Sequence, residues 1–321
     1  MRRTALLIAL MGSLISLKAQ TYAQLKLWDS HERHPHINEI EFDETRLAEA
    51  DSLFASLSTY DALYGHGAMM ENEFYAIRVY MDARQSVDLY GKRGYDPELF
   101  LTDFYTTPEL AAQGYGEDIL FVGASIGAGS FRGYEDGKPS LLKPVEARGQ
   151  RVLYNLQDSS AFEVWDKAWL YQGRRLNVRE VYTMRLGRRD TQVDVWIEDC
   201  EGEGEGIDGL TFVTGAQKLE KDNRGLMLPE SGIVASWGTN VPEKEARPDD
   251  EQTLGIMVAV PREYLQEVYE DELNYLCVLH PAGGHIRYYI LAAADIQQEG
   301  GFHSAEEWLG AAKGIKDSLK P

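Results

Sequence analysis

Short runs of β-branched and aromatic residues, separated by Gly, Asp and Asn, fill the chain from Glu73 onward. Such runs are typical of β-strands joined by tight turns. The predicted strands are Phe74–Met81, Ser86–Tyr90, Ile119–Gly123, Val152–Leu156, Phe162–Tyr171, Val178–Leu186, Thr191–Glu198, Leu210–Thr214, Ile233–Trp237, Leu254–Val260, Tyr275–Leu279 and Ile286–Ala292. About a dozen strands without helices between them predict antiparallel sheets, because parallel strands need a crossover connection. We therefore expect a mainly β fold, one large antiparallel β-sandwich with a few peripheral helices.

Helical periodicity is confined to a few segments outside these runs. Asp43–Leu57 carries apolar residues at helical spacing, and Pro261–Glu272 predicts a further short helix. A C-terminal helix over 304–319 begins at Ser304, which forms a capping box with Glu307. No sharp domain boundary is visible after residue 60, so we expect a single β-sandwich domain at 61–321. It would be preceded by a signal peptide at 1–19 and a helical or irregular segment at 20–60.

The N-terminus has the pattern of a secretory signal. Arg2 and Arg3 precede the apolar stretch Ala5–Leu17, and Ala19 offers a small residue before a cleavage site at Gln20. A membrane anchor is the alternative, but the apolar run is shorter than the roughly 20 residues that span a bilayer. We expect a periplasmic or secreted protein without membrane insertion after cleavage.

The net charge of the chain limits the classes of molecule that we expect it to bind. The chain has 32 Lys+Arg against 52 Asp+Glu and a formal charge of −20, which argues against nucleic-acid binding and against adsorption on anionic lipid. An acidic glycan would need a small local basic cluster, and Arg78, Arg84, Lys92 and Arg93 lie close together in sequence. Without such a positive pocket, the expected partner is a neutral sugar.

The two cysteines and one acidic segment each allow two interpretations. Cys200 and Cys277 form either one disulfide or two buried thiols. The acidic, Gly-rich run Asp199–Asp208 suits Ca²⁺ through its oxygen ligands, although a solvated hairpin tip is the usual explanation of such a run. No other cofactor is predicted.

The densest segment is a predicted hairpin made by the first two strands. Side chains alternate across a strand, so the length of the turn decides which residues share a face. A three-residue loop at Asp82–Arg84 keeps polar residues opposite polar residues. It pairs Val79 with Val87 and Ile77 with Leu89 on one face, and Arg78 with Asp88, Tyr80 with Ser86 and Ala76 with Tyr90 on the other.

The polar face of this hairpin is the candidate site. Its binding residues would be Asn72, Arg78, Asp88, Tyr90 and Lys92, because tyrosines stack on sugar rings and the polar groups match hydroxyls or carboxylates. Its acid–base residues would be His66, Glu71, Glu73 and Tyr80, with the first three clustered at the entrance of the first strand. The structural alternative is a solvated face with an Arg78–Asp88 ion pair that contributes about 0.2–1 kcal/mol.

Other aromatic and histidine residues form second-rank candidates. Trp165, Trp169, Trp196 and Trp237 would either line a sugar cleft or lie in the core. The turn His280–His285, with Arg287 beyond it, would close over a site.

Parts of the hairpin, HGAMMENEF (66–74), AIRVYMD (76–82) and RQSVDLYGK (84–92), resemble the signature of a family of exported bacterial proteins known as a domain of unknown function. The resemblance extends to Gly123–Ser130 and Ser304–Trp308. It implies a sugar-mutarotase-like β-sandwich, a fold shared with polysaccharide lyases, and genes located beside or fused to polysaccharide-degrading enzymes.

The residues and the resemblance together suggest an exported carbohydrate-active protein whose partner is an oligosaccharide or polysaccharide. The leading hypothesis is acid–base β-elimination on acidic plant or algal polysaccharide fragments. The alternatives are a non-catalytic glycan-binding protein and a mutarotase- or epimerase-like enzyme.

Overall fold

The computed structural model describes residues 20–28, 34–43, 62–202, 207–240, 251–298 and 300–315. The predicted signal peptide at 1–19, most of the predicted helix Asp43–Leu57 and the chain after Ile315 lie outside the described residues. Within the described ranges, no helix has the length and apolar character needed to cross a membrane.

Antiparallel strands dominate the described residues and form three sheets. The large sheet has nine strands in the order β14-β15-β16-β19-β12-β11-β10-β9-β2. Its strands are β14 Lys221–Leu228, β15 Ile233–Asn240, β16 Gln252–Ala259, β19 His285–Ala294, β12 Asp190–Asp199, β11 Arg174–Arg185, β10 Ser159–Tyr171, β9 Ala147–Asn155 and β2 Glu39–Asp43. The fold is therefore mainly β with large antiparallel sheets, as the sequence predicts.

Two five-stranded sheets pack against the large one. The first, ordered β1-β3-β4-β5-β6, consists of β1 Tyr22–Gln24, β3 Gly67–Glu71, β4 Tyr75–Tyr80, β5 Val87–Gly91 and β6 Glu117–Asp118. The second, ordered β17-β18-β13-β7-β8, consists of β17 Leu265–Glu270, β18 Asn274–Leu279, β13 Phe212–Gln217, β7 Arg132–Glu135 and β8 Lys138–Ser140. All three sheets contribute to one core, to which they supply Phe162, Ile77 and Phe212 respectively.

Some predicted elements differ from the structure. The segment Pro261–Glu272, predicted as a helix, contains the edge strand β17, because pairing with β18 overrides its helical spacing. Residues 119–123, predicted as a strand, have no strand assignment. The N-terminal segment expected to be helical or irregular supplies β1 and β2, whose pairing partners β3 and β9 are distant in sequence.

Helices are short and peripheral. The described α-helices are Leu99–Thr102, Pro108–Ala112 and Ala305–Ile315, and the 3₁₀ turns are Tyr64–His66, Ile207–Gly209 and Pro229–Ser231.

The C-terminal helix covers part of the outer face of the nine-stranded sheet, the face turned away from the shared core. Ser304 caps it by accepting a hydrogen bond from the Glu307 N–H at 3.3 Å, as predicted. Trp308 is fully buried against Trp237 and Met257 of the sheet and donates its indole N–H to the Ser236 carbonyl at 3.0 Å.

Gly255 makes room for this helix, and its replacement tests the packing. A Cβ atom at Gly255 would lie 2.5 Å from the Trp308 Nε1 atom, whereas one at Gly310, inside the helix, would meet open space. Gly255→Ala should therefore lower the free energy of unfolding by about 1–3 kcal/mol. Gly310→Ala should raise it by about 0.5–1 kcal/mol. Urea denaturation measures both, and equal effects would contradict this packing.

Candidate functional site

The hairpin of β4 and β5 has the predicted register. The observed pairs are Val79–Val87, Arg78–Asp88, Ile77–Leu89 and Ala76–Tyr90. The Tyr80 N–H also donates to the Ser86 carbonyl at 3.1 Å. The apolar side chains of one face belong to the shared core, so the alternation of side chains correctly predicts which residues share a face.

The other face of the hairpin is buried, so the solvated face given as the structural alternative is wrong. Asp88 has no exposed surface, and Arg78 is almost fully buried. The segment Glu98–Thr106 covers this face: Phe104 lies over the Arg78 guanidinium at 4.4 Å, and Glu98 accepts a hydrogen bond from the Tyr90 hydroxyl at 2.8 Å. The polar residues therefore form a buried network instead of a solvated face.

Five side chains, Arg78, Tyr80, Asp88, Tyr105 and Asp118, form what we call the Arg78 cluster. The guanidinium donates to Asp88 at 2.7 and 3.0 Å and to Asp118 at 2.8 Å. It also donates to the hydroxyls of Tyr105 at 2.8 Å and Tyr80 at 3.1 Å. The Tyr80 hydroxyl in turn donates to Asp88 at 2.5 Å.

Electrostatics keep this arginine charged in spite of its burial. Removal from water lowers the pKa of Arg78, but the oxygens of Tyr80, Asp88, Asp118 and Tyr105 outweigh that effect and raise the pKa well above its ordinary value. Two carboxylates around one guanidinium leave the cluster with one negative charge in excess. The cluster therefore holds two phenolic hydroxyls in place without a spare positive charge.

Partly exposed rings lie beside this cluster, and we call Trp28, His34, Tyr64, His66 and Tyr105 the aromatic rim. His34 stacks on Tyr64 with 3.5 Å between ring centroids, and Trp28 lies 5.5 Å from both. Tyr105 has edge contacts to Tyr64 at 6.2 Å and to His66 at 6.1 Å. Trp28 and Tyr105 are 58% and 38% exposed. The rim thus presents ring faces and edges to solvent.

Unusual backbone conformations position the rim. His66 has φ of 65°, and the successive residues Asp103 and Phe104 have φ of 49° and 72°. Left-handed conformations cost energy for non-glycine residues and persist where surrounding contacts fix them. Asp103 is fixed by Gln24 at 2.8 Å and by Lys26 at 2.5 Å, and the chain then turns so that Phe104 and Tyr105 reach Arg78.

The His66 ring has an edge contact with the Tyr80 ring, with 6.3 Å between ring centroids. The structure does not bring Glu71 or Glu73 to His66, because strand β3 separates them. Four residue steps of extended chain from Gly67 to Glu71 span about 13 Å. Glu73 instead accepts from the Gly187 N–H, in the turn before β12.

Glu71, Asn72 and Lys92 form a separate buried group. Lys92 Nζ donates to the Glu71 carboxylate at 2.8 Å and to the Asn72 carbonyl at 2.7 Å. Glu71 also accepts from the N–H groups of Glu98 and Leu99, at the start of the covering helix, at 2.8–3.0 Å. Since Glu71 and Lys92 have no exposed surface, they hold the segment that covers Arg78 and do not face a ligand. Tyr90 is equally buried, and burial raises its pKa far above the ordinary range.

Several site residues were missed by sequence reasoning. Tyr105, in a loop, and Asp118, in the short strand β6, lie 27 and 40 residues beyond Arg78, and no local pattern connects them to it. The sequence did contain a pattern that could have indicated Trp28, His34 and Tyr64. Trp28 and His34 lie in the aromatic and histidine-rich run Trp28–His36, and Tyr64 immediately precedes Gly65.

The four tryptophans and the two cysteines considered in the sequence lie in different environments. Trp169 lies in the shared core and Trp237 lies under the C-terminal helix, whereas Trp165 and Trp196 are half-buried on the outer sheet face. The cysteines are unpaired: Cys277 is a buried thiol as one alternative expected, and Cys200 is exposed.

Calcium binding at Asp199–Asp208 stays a prediction. Asp199 pairs with Arg174 at 2.9 Å, and residues 203–206 lie outside the described ranges. Among the residues that the structure describes, no group of three or more His, Cys, Asp or Glu side chains could hold a metal ion.

Comparison with known proteins decides the family. A family model described as a domain of unknown function, DUF4861, matches residues 4–321. The chain belongs to the DUF4861 family. This agrees with the resemblance carried by the hairpin signature. A search of curated proteins finds no match to this DUF4861 chain.

Solved structures show distant likenesses. A candidate aldose 1-epimerase from Klebsiella pneumoniae subsp. pneumoniae aligns with 9% identity and a TM-score of 0.40, over 92% of this chain and 95% of that one. A TPR-domain containing protein from Parabacteroides distasonis aligns with 9% identity and a TM-score of 0.38, over 85% of this chain and 55% of that one. Likenesses this remote do not indicate a shared function.

The structural role of Glu71 is tested by comparing the stability lost when its buried ion pair is removed with the stability lost when a more exposed ion pair is removed. Glu71→Ala leaves the Lys92 charge buried and unpaired, so it should lower the free energy of unfolding by about 3–5 kcal/mol. Arg93→Gln removes a half-exposed pair with Glu117 (3.1 Å) and should cost less than about 1 kcal/mol. Chemical denaturation compares the two, and a Glu71→Ala protein as stable as Arg93→Gln would refute the structural role.

Proposed function

We propose that the protein binds the ring of a neutral sugar at the aromatic rim, next to the hydroxyls of Tyr80 and Tyr105. One observation carries the proposal: exposed aromatic rings lie beside phenolic hydroxyls that a buried arginine fixes in place. Aromatic faces pack against the apolar faces of sugar rings, while a few fixed polar groups orient the ligand. The signal peptide predicted from the sequence supports a location in the periplasm or outside the cell, where oligosaccharides or polysaccharides would be the partners.

Charge distribution favours a neutral sugar over a uronate. The four cations expected to form a local basic cluster are all paired: Arg78 with Asp88 and Asp118, Arg84 with Asp82, Lys92 with Glu71 and Arg93 with Glu117. Uronate β-elimination at this site would require a cation to neutralise the substrate carboxylate. The lyase hypothesis is therefore less well supported here than sugar binding.

Proton transfer at the same site is a second candidate function, favoured by the position of Tyr80. Its hydroxyl lies between the Asp88 carboxylate at 2.5 Å and the Arg78 guanidinium at 3.1 Å. In a mutarotase-like reaction, Tyr80 would protonate the ring oxygen while His66 takes the proton of the anomeric hydroxyl. Ring closure on the other face returns both protons, and Arg78 stabilises the transient Tyr80 phenolate.

Binding is tested with a panel of neutral mono- and oligosaccharides in isothermal titration calorimetry. Trp28→Ala should weaken binding of the preferred sugar about tenfold or more, because it removes the most exposed ring of the rim. Tyr154→Ala is the control, since Tyr154 is another exposed aromatic residue (38%) but lies on strand β9, outside the rim. Equal losses in the two variants, or no binding by the wild-type protein, would contradict the proposal.

Turnover is tested by following optical rotation after a fresh α-anomer is dissolved. Tyr80→Phe keeps the ring but lacks the transferable proton, so it should lower the rate at least about 100-fold while sugar affinity stays within a few-fold. His66→Ala should lower the rate by a similar factor, beyond the loss of affinity that follows from removing this ring of the rim. Binding without any acceleration in the wild-type protein would select the non-catalytic glycan-binding alternative.

A further inference from the structure

Strand β11 places one acidic side chain on the face that packs in the shared core. Side chains alternate across a strand, so Glu180 points in the same direction as Val178 and Tyr182, which both belong to that core. Its neighbours on the adjacent strands, Val164 of β10 and Val195 of β12, belong to the core as well. Because Glu180 is only 1% exposed, its carboxyl group lies inside the apolar interior.

The carboxyl group of Glu180 has a single hydrogen-bond partner among the described residues. The Tyr182 hydroxyl donates to its Oε2 atom at 2.6 Å, while its Oε1 atom is buried and has no partner. Asp166 on β10 is equally buried but forms an ion pair with Arg148 at 2.7 Å. A carboxylate without such a cation is strongly destabilised by removal from water, and an acid in that position binds a proton instead.

Neighbouring strands bring charged and titratable groups near Glu180. Asp166 of β10 disfavours a second negative charge, whereas Arg148 of β9 and Arg132 of β7 favour one. Burial lowers the pKa of Arg132 to about 10 and raises the pKa of Tyr288, on β19, well above its ordinary value. Removal from water outweighs the two arginines and the hydrogen bond, and it raises the pKa of Glu180 from 4.5 to about 8.

We propose that Glu180 is a pH-sensitive switch in the core, which holds a proton in the folded protein at neutral pH and weakens the folded state when it ionises in alkaline solution. The geometry of the side chain supports this proposal, because one oxygen has no partner and the other accepts only from a neutral hydroxyl. The switch lies in the interior of the molecule and does not depend on sugar binding at the aromatic rim.

The direction of the pH dependence follows from the proton that folding retains. In the unfolded chain Glu180 is exposed to water and has its ordinary pKa of 4.5, whereas in the folded protein its pKa is about 8. Between these two values the folded state binds one more proton than the unfolded state, so rising pH favours unfolding. The contribution of Glu180 to stability is therefore fully present below pH 4.5 and is lost as the pH rises to about 8.

Urea denaturation of the wild-type protein and of Glu180→Gln, at pH values from about 5.5 to about 8.5, tests the switch. The amide keeps the size of the side chain and does not titrate, so the comparison separates Glu180 from the other titrating groups. The folding equilibrium constant of the wild-type protein, divided by that of Glu180→Gln, should fall about 100-fold or more over this range.

Glu163→Gln is the matched control. Glu163 is also a buried glutamate, on the neighbouring strand β10, but it forms ion pairs with Arg151 and Arg179. Its replacement should lower stability through the loss of these pairs, by a factor that stays nearly constant over the same pH range.

Infrared spectroscopy detects the proton directly. The difference between the spectra of folded wild-type protein and Glu180→Gln should contain the C=O stretch of a protonated carboxylic acid at neutral pH, and this band should disappear above pH about 8. Tyr182→Phe removes the hydroxyl that donates to the carboxylate, so it should shift the disappearance to higher pH.

Several outcomes would overturn the proposal. They are a ratio of wild-type to Glu180→Gln folding constants that stays level or rises with pH, the same fall in the ratio of wild-type to Glu163→Gln constants, and a difference spectrum without the carboxylic acid band at neutral pH.

Discussion

The buried guanidinium of Arg78 is the interaction on which the first sheet and its site depend. Removing an arginine from water is costly, and the cost is offset only when carboxylates and hydroxyls satisfy its donors. Asp88 supplies one carboxylate from the neighbouring strand, and Asp118 supplies another from strand β6. Tyr80 and Tyr105 complete the shell and are fixed by it. The same interaction that stabilises the covering segment therefore presents two hydroxyls at the aromatic rim.

The pairing of charges determines which ligand chemistry suits the aromatic rim. Around the hairpin the cations pair with carboxylates, and the exposed groups are rings and hydroxyls, which suit a neutral sugar. On the outer face of the nine-stranded sheet, Arg151 and Arg179 are likewise balanced by the carboxylates of Glu39 and Glu163.

Local sequence patterns predicted the parts of the fold that local rules control. The register of the hairpin followed from alternation and from matching Arg78 with Asp88. The C-terminal helix followed from the capping box at Ser304. Both depend on residues close in sequence, so a single sequence is sufficient to find them.

Properties that depend on distant contacts could not be predicted. The burial of Arg78 is imposed by the segment Glu98–Thr106, whose helix has only four residues and no periodicity that marks it as a cover. The separation of His66 from Glu71 depends on strand β3, which is buried on both faces and has no alternation. Trp165 and Trp169 differ in exposure because a bulge in β10 shifts the register between them.

A crystal structure with the preferred neutral sugar tests the central claim most directly. The claim predicts a sugar ring packed against the aromatic rim, with hydroxyls near Tyr80 and Tyr105 and with Arg78 still bound to Asp88 and Asp118. A ligand carboxylate that displaces Asp118 and binds Arg78 directly would contradict it, and so would an aromatic rim left empty while the sugar binds elsewhere.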